Sequence, residues 1–156
     1  GVYHWFPKMY GRMMNKGLGY LHFWGTFICA YGVFFPMHFL GLAGLPRRYY
    51  QNSSFPMFDG LADINAVITF FALAGAVFQF IFIFNFYYSI FKGTKASKNP
   101  WQANTLEWTT PVERIHGNWP GELPTVHRWA YDYSKPGANK DFIPQTEPLK
   151  EGEEEH

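Results

Sequence analysis

The chain has 156 residues, a formal net charge of +1 and an aromatic content of 21%. Its cations are scattered rather than gathered into a basic surface, which excludes the nucleic-acid-binding class. Its single cysteine, Cys29, lies in an apolar run and excludes both a disulfide framework and a thiolate metal site. The opening residues do not have the order of a signal peptide, and we expect the chain to be the carboxy-terminal piece of a longer protein.

Two long uncharged stretches dominate the chain. No Asp, Glu, Lys or Arg occurs from residue 17 to 46 or from residue 64 to 91. A helix needs about 20 apolar residues to cross a bilayer, and neither stretch has the polar face of a surface helix. The pattern predicts an all-α membrane fold, with transmembrane helices over 17–46 and 64–91 that form a hairpin. Small residues in both stretches, such as Gly25 and Gly32, favour close helix packing, although they are also common in membrane helices generally.

Flanking charge predicts the orientation of this hairpin. Cations precede the first stretch and follow the second: Lys8, Arg12, Lys16, Lys92, Lys95 and Lys98. Because cytoplasmic flanks carry an excess of Lys and Arg, residues 1–16 and 92–156 are predicted to be cytoplasmic and the loop 47–63 to face outward. Arg47 and Arg48 then lie on the side that disfavours cations, which indicates a specific anionic partner.

The segment 92–156 differs in character from the two spans. Residues 93–156 hold seven of the 11 prolines and four of the six tryptophans, without any sustained period. Aromatic residues at this density do not suit a wholly disordered segment. We predict an irregular Pro/Trp-rich tail that docks on a larger assembly through Trp101, Trp108, Trp119 and Trp129.

Histidines and carboxylates give no catalytic or metal site within this chain. No two of the six histidines lie three or four residues apart, and His22 and His38 would be about 24 Å apart along a helix. They are better explained as hydrogen-bonding residues than as metal ligands. Asp59 and Asp63 could pair as acid and base, but the position of Asp63 before an apolar run favours a helix cap.

Arg47 and Arg48, at the end of the first stretch, carry the most functional information. One interpretation is a pair that snorkels to lipid head groups, which is the commoner role in a membrane hairpin. The other is a clamp for a buried carboxylate or phosphate, since a guanidinium fork makes two parallel charge-assisted hydrogen bonds. Nearby apolar side chains would then form a wall for a flat ligand such as haem with its two propionates: Phe34, Phe35, Met37 and Phe39.

Three motifs in this sequence resemble subunit I of the haem–copper cytochrome c oxidases. The run Phe-Phe-Pro-Met-His-Phe-Leu-Gly-Leu-Ala-Gly-Leu-Pro-Arg-Arg-Tyr, residues 34–49, resembles the eleventh helix and the following loop of that family. The opening Tyr-His-Trp-Phe-Pro, residues 3–7, resembles the end of its tenth helix. Asn-Pro-Trp at 99–101 and Thr-Leu-Glu-Trp-Thr at 105–109 resemble the segment after the twelfth helix in bacterial members. The later tail, 118–137, is similar to subunits from Bacteroidetes-like bacteria.

The resemblance implies roles for named residues. Arg47 and Arg48 would hold the propionates of the two haems, and Phe34, Met37 and His38 would line the haem pocket, His38 without binding iron. The haem-iron and copper ligands would lie upstream of residue 1, so that this piece of a twelve-helix bundle is inactive alone. The family often has Gln at the position of Met37, and its loop after the arginine pair differs from residues 50–56 here.

The implied activity is that of a respiratory terminal oxidase of the bacterial inner membrane. In the intact subunit, electrons from cytochrome c would reduce oxygen to water while protons are pumped outward. The implied partners are the remainder of subunit I, subunits II and III, cytochrome c and the lipid bilayer. Two alternatives stay open: a quinol-oxidising member of the same family, and a non-catalytic hairpin that anchors or scaffolds a membrane complex.

Overall fold

The chain is mostly helical. The computed structural model describes residues 1–46, 48, 55–110, 117–133, 136–137 and 139–149. Its helices are α1 (Val2–Tyr10), α2 (Lys16–Leu42) and α3 (Ala62–Lys92), with short 3₁₀ helices at Pro56–Leu61 and Leu106–Trp108. The chain divides into two compact units: the hairpin unit, Met14–Lys92, and the terminal unit, which joins Gly1–Met13 to Gly93–His156.

The hairpin unit consists of α2 and α3, which pack along one another. Both helices are long and apolar enough to cross a membrane. Only 11% of the most apolar stretch of α2 is buried, and only 6% of the most apolar stretch between Pro56 and Lys92, so these surfaces are left for lipid or other helices. This confirms the predicted all-α fold with two helices able to span a membrane.

Two glycines on α2 let the phenylalanines of α3 approach its backbone. A Cβ added at Gly25 would lie 2.3 Å from the ring of Phe78, and one added at Gly32 would lie 2.3 Å from the ring of Phe71. Both pairs are spaced by seven residues and run in opposite directions, which matches one face of each antiparallel helix. The small residues of α2 therefore serve close helix packing in this hairpin.

A buried amide joins the start of α2 to the end of α3. Asn15 caps α2, because its Oδ1 accepts a hydrogen bond from the backbone N–H of Leu18 at 3.0 Å. Asn85 accepts from the backbone N–H of Asn15 at 3.1 Å and donates to its carbonyl at 3.0 Å. Ser89 adds a hydrogen bond to Asn85 Oδ1 at 3.1 Å. Asn85 and Ser89 are fully buried, so these bonds satisfy polar groups that would otherwise be costly in the apolar hairpin.

The ends of the two long helices differ from the predicted boundaries. The helix α2 ends at Leu42 instead of residue 46. Gly44 then adopts φ +85°, and the Leu45 N–H donates to the Leu40 carbonyl at 3.0 Å. This is the hydrogen-bond pattern that closes a helix with a left-handed glycine. The predicted cap at Asp63 is wrong, because Asp63 is the second residue of α3 and instead places negative charge in its first turn.

In the terminal unit, α1 packs against the first part of the tail. The ring of His4 stacks on Trp101 with centroids 5.6 Å apart and meets Trp108 edge-on at 5.2 Å. Trp101 Nε1 donates to the His4 carbonyl at 3.0 Å, and Lys8 lies over the Trp108 ring at 5.5 Å. Trp108 is buried, whereas Trp129, also predicted to dock, is 57% exposed. Two of the four predicted docking tryptophans thus contact α1 of the same chain.

The tail is irregular but closely hydrogen-bonded. The side chain of Asn104, fully buried, donates to the Asp132 carbonyl at 3.0 Å and accepts from the Ile143 N–H at 2.9 Å. The backbone of Gln145 donates to the Asn104 carbonyl at 3.0 Å. These bonds join segments that are 28 and 39 residues apart. The described tail is therefore an ordered structure held by polar contacts, with almost no regular secondary structure.

A buried arginine fastens the last described segment to this network. Arg128 donates from Nε to the Glu147 carbonyl and from Nη2 to the Pro148 carbonyl, each at 2.9 Å. Its Nη1 lies 3.3 Å from Asp132 Oδ2. Burial strengthens each of these charge-assisted bonds, because little water competes for the same groups.

Candidate ligand pocket at the end of the first spanning helix

The backbone that follows α2 carries Arg48 in an unusual conformation. After the left-handed Gly44 and Pro46, Arg48 itself has φ +68°. A residue with a Cβ pays about 1–2 kcal/mol for this region, and such strain is often found at ligand-binding sites. The Arg48 side chain is exposed. Its predicted companion, Arg47, lies outside the described residues.

A cavity of about 890 Å³ opens beside Arg48 within the hairpin unit. It falls within the range of about 300–1,000 Å³ that is usual for ligand pockets. Most of its wall is apolar, and the polar side chains on it are a cation, an imidazole and an amide. The lining residues are Phe34, Met37, His38, Leu40, Gly41, Leu42, Leu45, Pro46, Arg48 and Asn65.

Helical spacing explains which predicted residues reach this cavity. Phe34, Met37 and His38 stand at i, i+3 and i+4 on α2 and so share one face of the helix, and all three line the cavity with Arg48. Phe35 and Phe39, which were also expected in the wall, pack edge-to-face on each other with centroids 5.4 Å apart and are not among the lining residues.

His38 has a defined proton arrangement on this wall. Its Nδ1 lies 2.9 Å from the backbone carbonyl of Phe34, one helical turn earlier. Because a carbonyl oxygen only accepts, Nδ1 carries the proton in this contact. This hydrogen bond fixes the orientation of the His38 ring on the cavity wall.

The cavity also contains one residue that sequence reasoning missed. Asn65, in the first turns of α3, contributes to the lining from the second helix. In the sequence, the only indication of this role is that Asn65 is an amide at the start of the second apolar stretch. That signal becomes informative only when the packing of α3 against α2 is known.

Other polar side chains within the spans link the two helices to each other. Gln79 Nε2 donates to Thr26 Oγ1 at 2.9 Å, and His22 Nε2 lies 3.4 Å from Gln79 Oε1. Hydrogen bonds of this kind between membrane helices contribute about 1 kcal/mol. Across the residues that the structure describes, no three His, Cys, Asp or Glu side chains gather into a metal-binding group.

The lining fits a flat, largely apolar ligand that carries a carboxylate. Aromatic and aliphatic side chains cover most of the cavity wall, and the guanidinium of Arg48 stands at one part of it. A guanidinium fork matches a carboxylate with two parallel hydrogen bonds. Haem combines an apolar macrocycle with propionate groups, so the residues present are compatible with it.

A hairpin of two helices able to span a membrane, with an apolar cavity bordered by an arginine, defines the chain as an α-helical membrane-protein segment, and comparison with known proteins identifies the family. Residues 1–77 match the family described as cytochrome C and Quinol oxidase polypeptide I. The chain is 52% identical over 153 residues to the alternative cytochrome c oxidase subunit 1 of Bradyrhizobium diazoefficiens, which covers 97% of this chain and 26% of that protein. It is 45% identical over 134 residues to the cytochrome c oxidase subunit 1 of Synechocystis, which covers 85% of this chain and 23% of that protein.

The chain therefore belongs, through residues 1–77, to the cytochrome c and quinol oxidase polypeptide I family. It spans about a quarter of the length of these curated relatives. The predicted resemblance to subunit I of the haem–copper oxidases is confirmed. A Bacteroidetes-like origin stays a prediction.

Proposed function

We propose that this chain is the carboxy-terminal part of the catalytic subunit of a respiratory haem–copper oxidase. The intact enzyme would take electrons from cytochrome c, reduce oxygen to water and pump protons outward across the bacterial inner membrane. The observation that best supports the proposal is the cavity where Arg48 joins the Phe34, Met37 and His38 face of α2. The similarity to one alternative cytochrome c oxidase subunit 1 over 97% of the chain supports it independently.

In this proposal Arg48, with Arg47 beside it in sequence, holds the propionates of the low-spin and high-spin haems. Phe34 and Met37 cover the apolar macrocycle, and His38 lines the same wall. When bound, haem and copper supply the redox chemistry, and the rest of subunit I supplies their ligands. This chain alone would be inactive, and its contribution is to complete the pocket.

The proposed role of the arginines is electrostatic as well as steric. A guanidinium next to a propionate favours the ionised form of that carboxylate and fixes its orientation. The same positive charge favours an electron on a nearby haem, because the reduced group is more negative. Arg48 would therefore both position the cofactor and raise its midpoint potential.

The proposed partners follow from the exposed surfaces and the charge pattern. Large apolar side chains cover α2 and α3, including Leu42 at 85% and Phe70 at 67% exposed. Such surfaces require lipid or other helices, which we assign to the bilayer, the remainder of subunit I and subunits II and III. The flanking cations support an outward loop at 47–63 and a cytoplasmic tail at 92–156.

The test replaces Arg48 in the full-length subunit with methionine and, as a matched control, with lysine. A charge-assisted hydrogen bond contributes about 1.5–3 kcal/mol, so Arg48→Met should weaken haem retention by about 10- to 150-fold and lower the haem midpoint potential. Arg48→Lys keeps the charge but loses the fork, so its midpoint potential should stay closer to that of the unmodified protein. Haem content and redox titration of purified enzyme measure both effects.

Full haem content and an unchanged haem midpoint potential in Arg48→Met would refute the proposed role of Arg48 in holding haem and raising its potential. The electron donor is tested separately by supplying reduced cytochrome c or a quinol to the unmodified enzyme. Oxygen uptake with quinol alone would establish the quinol-oxidising alternative, which the description of the matched family includes. Membranes that contain the full-length protein but no haem absorbance would favour the scaffolding hairpin.

A further inference from the structure

Two cations face each other across a short backbone pairing in the terminal unit. Arg12 and Lys95 form an antiparallel bridge. The Met13 N–H donates to the Thr94 carbonyl at 2.8 Å, and the Ala96 N–H donates to the Gly11 carbonyl at 3.0 Å. These bonds fix the backbone of both segments and hold the two positive residues side by side.

This pairing is unfavourable unless an anion offsets it. Like charges directly opposite each other on paired strands destabilise the pair. Among the residues that the structure describes, no carboxylate lies within ion-pair distance, 4.0 Å, of Arg12 or Lys95. Residues 93–98 add Lys98 to the same segment and contain no Asp or Glu. The backbone thus concentrates positive charge without a described counterion.

The Arg12 side chain is held in place at this bridge. Its Nη1 donates to the Gly93 carbonyl at 2.7 Å, which fixes the guanidinium and leaves its other N–H donors available. Arg12 is half-buried, whereas Lys95 is exposed. A guanidinium that is already held in place is favourable for binding a phosphate, because less of the arginine's side-chain entropy is lost on binding.

We propose that the Arg12–Lys95 bridge binds the phosphate of an anionic phospholipid. Arg12 lies four residues before the first residue of α2, and Lys95 lies three residues after the last residue of α3. Each cation is therefore within four residues of a spanning helix in the sequence. Basic residues next to membrane helices attract anionic head groups of the cytoplasmic leaflet. This proposal depends on the chain being in a membrane and is independent of the haem site.

The test measures phospholipid binding to the full-length oxidase complex by native mass spectrometry from detergent. Phosphatidylglycerol is titrated against zwitterionic phosphatidylcholine. Each basic residue near an anionic surface is worth about fivefold in affinity, so Arg12→Gln with Lys95→Gln should weaken phosphatidylglycerol binding about 30-fold. Phosphatidylcholine binding should not change. The matched control, Lys140→Gln, removes an exposed cation of the tail and should leave both lipids unaffected.

A charge reversal separates lipid binding from folding. Lys95→Glu places a carboxylate opposite Arg12, where opposite charges stabilise a paired strand, so the thermal stability should hold or rise while phosphatidylglycerol binding is lost. Unchanged phosphatidylglycerol binding in this variant and in the double variant would overturn the proposal. The proposal would also be overturned if these variants lost another protein subunit from the complex but still bound phosphatidylglycerol. The cations would then pair with an acidic protein surface.

Discussion

Replacing Gly25 with alanine tests whether the hairpin depends on contact between a bare backbone and an aromatic ring. The new Cβ would lie 2.3 Å from Cδ1 and Cε1 of Phe78 and 2.5 Å from Cγ. Carbon atoms in good contact are about 3.5–4.0 Å apart, so the ring must withdraw by about 1.2 Å or more. Because Cγ stands next to the Phe78 backbone, rotation of the ring alone does not relieve the overlap.

The control is Gly41→Ala, since nothing lies within 4 Å of a Cβ added at Gly41. Both glycines are in α2, and each substitution gains up to about 1 kcal/mol of helix propensity, so most of this gain cancels in the comparison. The remaining difference is the cost of overpacking, about 1–3 kcal/mol. Gly25→Ala should therefore lower the folding equilibrium constant by about 5- to 150-fold relative to Gly41→Ala.

Unfolding of the full-length protein in mixed micelles by added detergent, followed by tryptophan fluorescence, measures this difference. Gly25→Ala combined with Phe78→Ala should be less destabilised than the two single changes together, because the ring that clashes is gone. Equal stability of Gly25→Ala and Gly41→Ala would show that α3 does not need the glycine face, and the packing argument would be refuted.

Two further predictions concern the terminal unit. Asn104→Ala should remove the side-chain hydrogen bonds to the Asp132 carbonyl and the Ile143 N–H, at about 0.5–1.5 kcal/mol each, and so increase protease cleavage of the tail. Asn118→Ala, at an exposed site, is the control, and equal cleavage rates in the two variants would contradict the role of Asn104 in holding the tail together. Burial lowers the pKa of Lys8 below its ordinary value of 10.5, and the charge of Glu107 partly opposes this. The rate of amine labelling at Lys8, measured by mass spectrometry, should therefore reach half its maximum below pH 10.5. Glu107→Gln should lower this midpoint further, because it removes the opposing charge. A midpoint at or above pH 10.5 would contradict the burial argument.

The spans could be predicted from the sequence because their signal is local. A long uncharged run excludes a water-exposed helix whatever surrounds it. The Phe34, Met37 and His38 face is local too, since helical spacing alone puts these residues together. The same spacing places Phe35 and Phe39 on another face, so applying it residue by residue would have removed them from the predicted wall.

The rest of the fold depends on contacts that leave no periodic trace. Asn65 reaches the cavity only because α3 packs on α2. Asn104 joins residues 28 and 39 positions away through single hydrogen bonds, and an asparagine in a Pro-rich segment reads first as a turn residue. The end of α2 is not predictable locally, because the left-handed Gly44 resembles, in the sequence, one more small residue of a membrane helix.

The partnership between α1 and the tail has a consequence for synthesis. Trp101 pairs with His4, 97 residues earlier in the chain. At a translation rate of about 5–20 residues per second, roughly 5–20 s pass before α1 can meet its aromatic partners. The residues of both long helices leave the ribosome within that interval. The hairpin can therefore close first, and α1 is secured only after its aromatic partners in the tail have been synthesised.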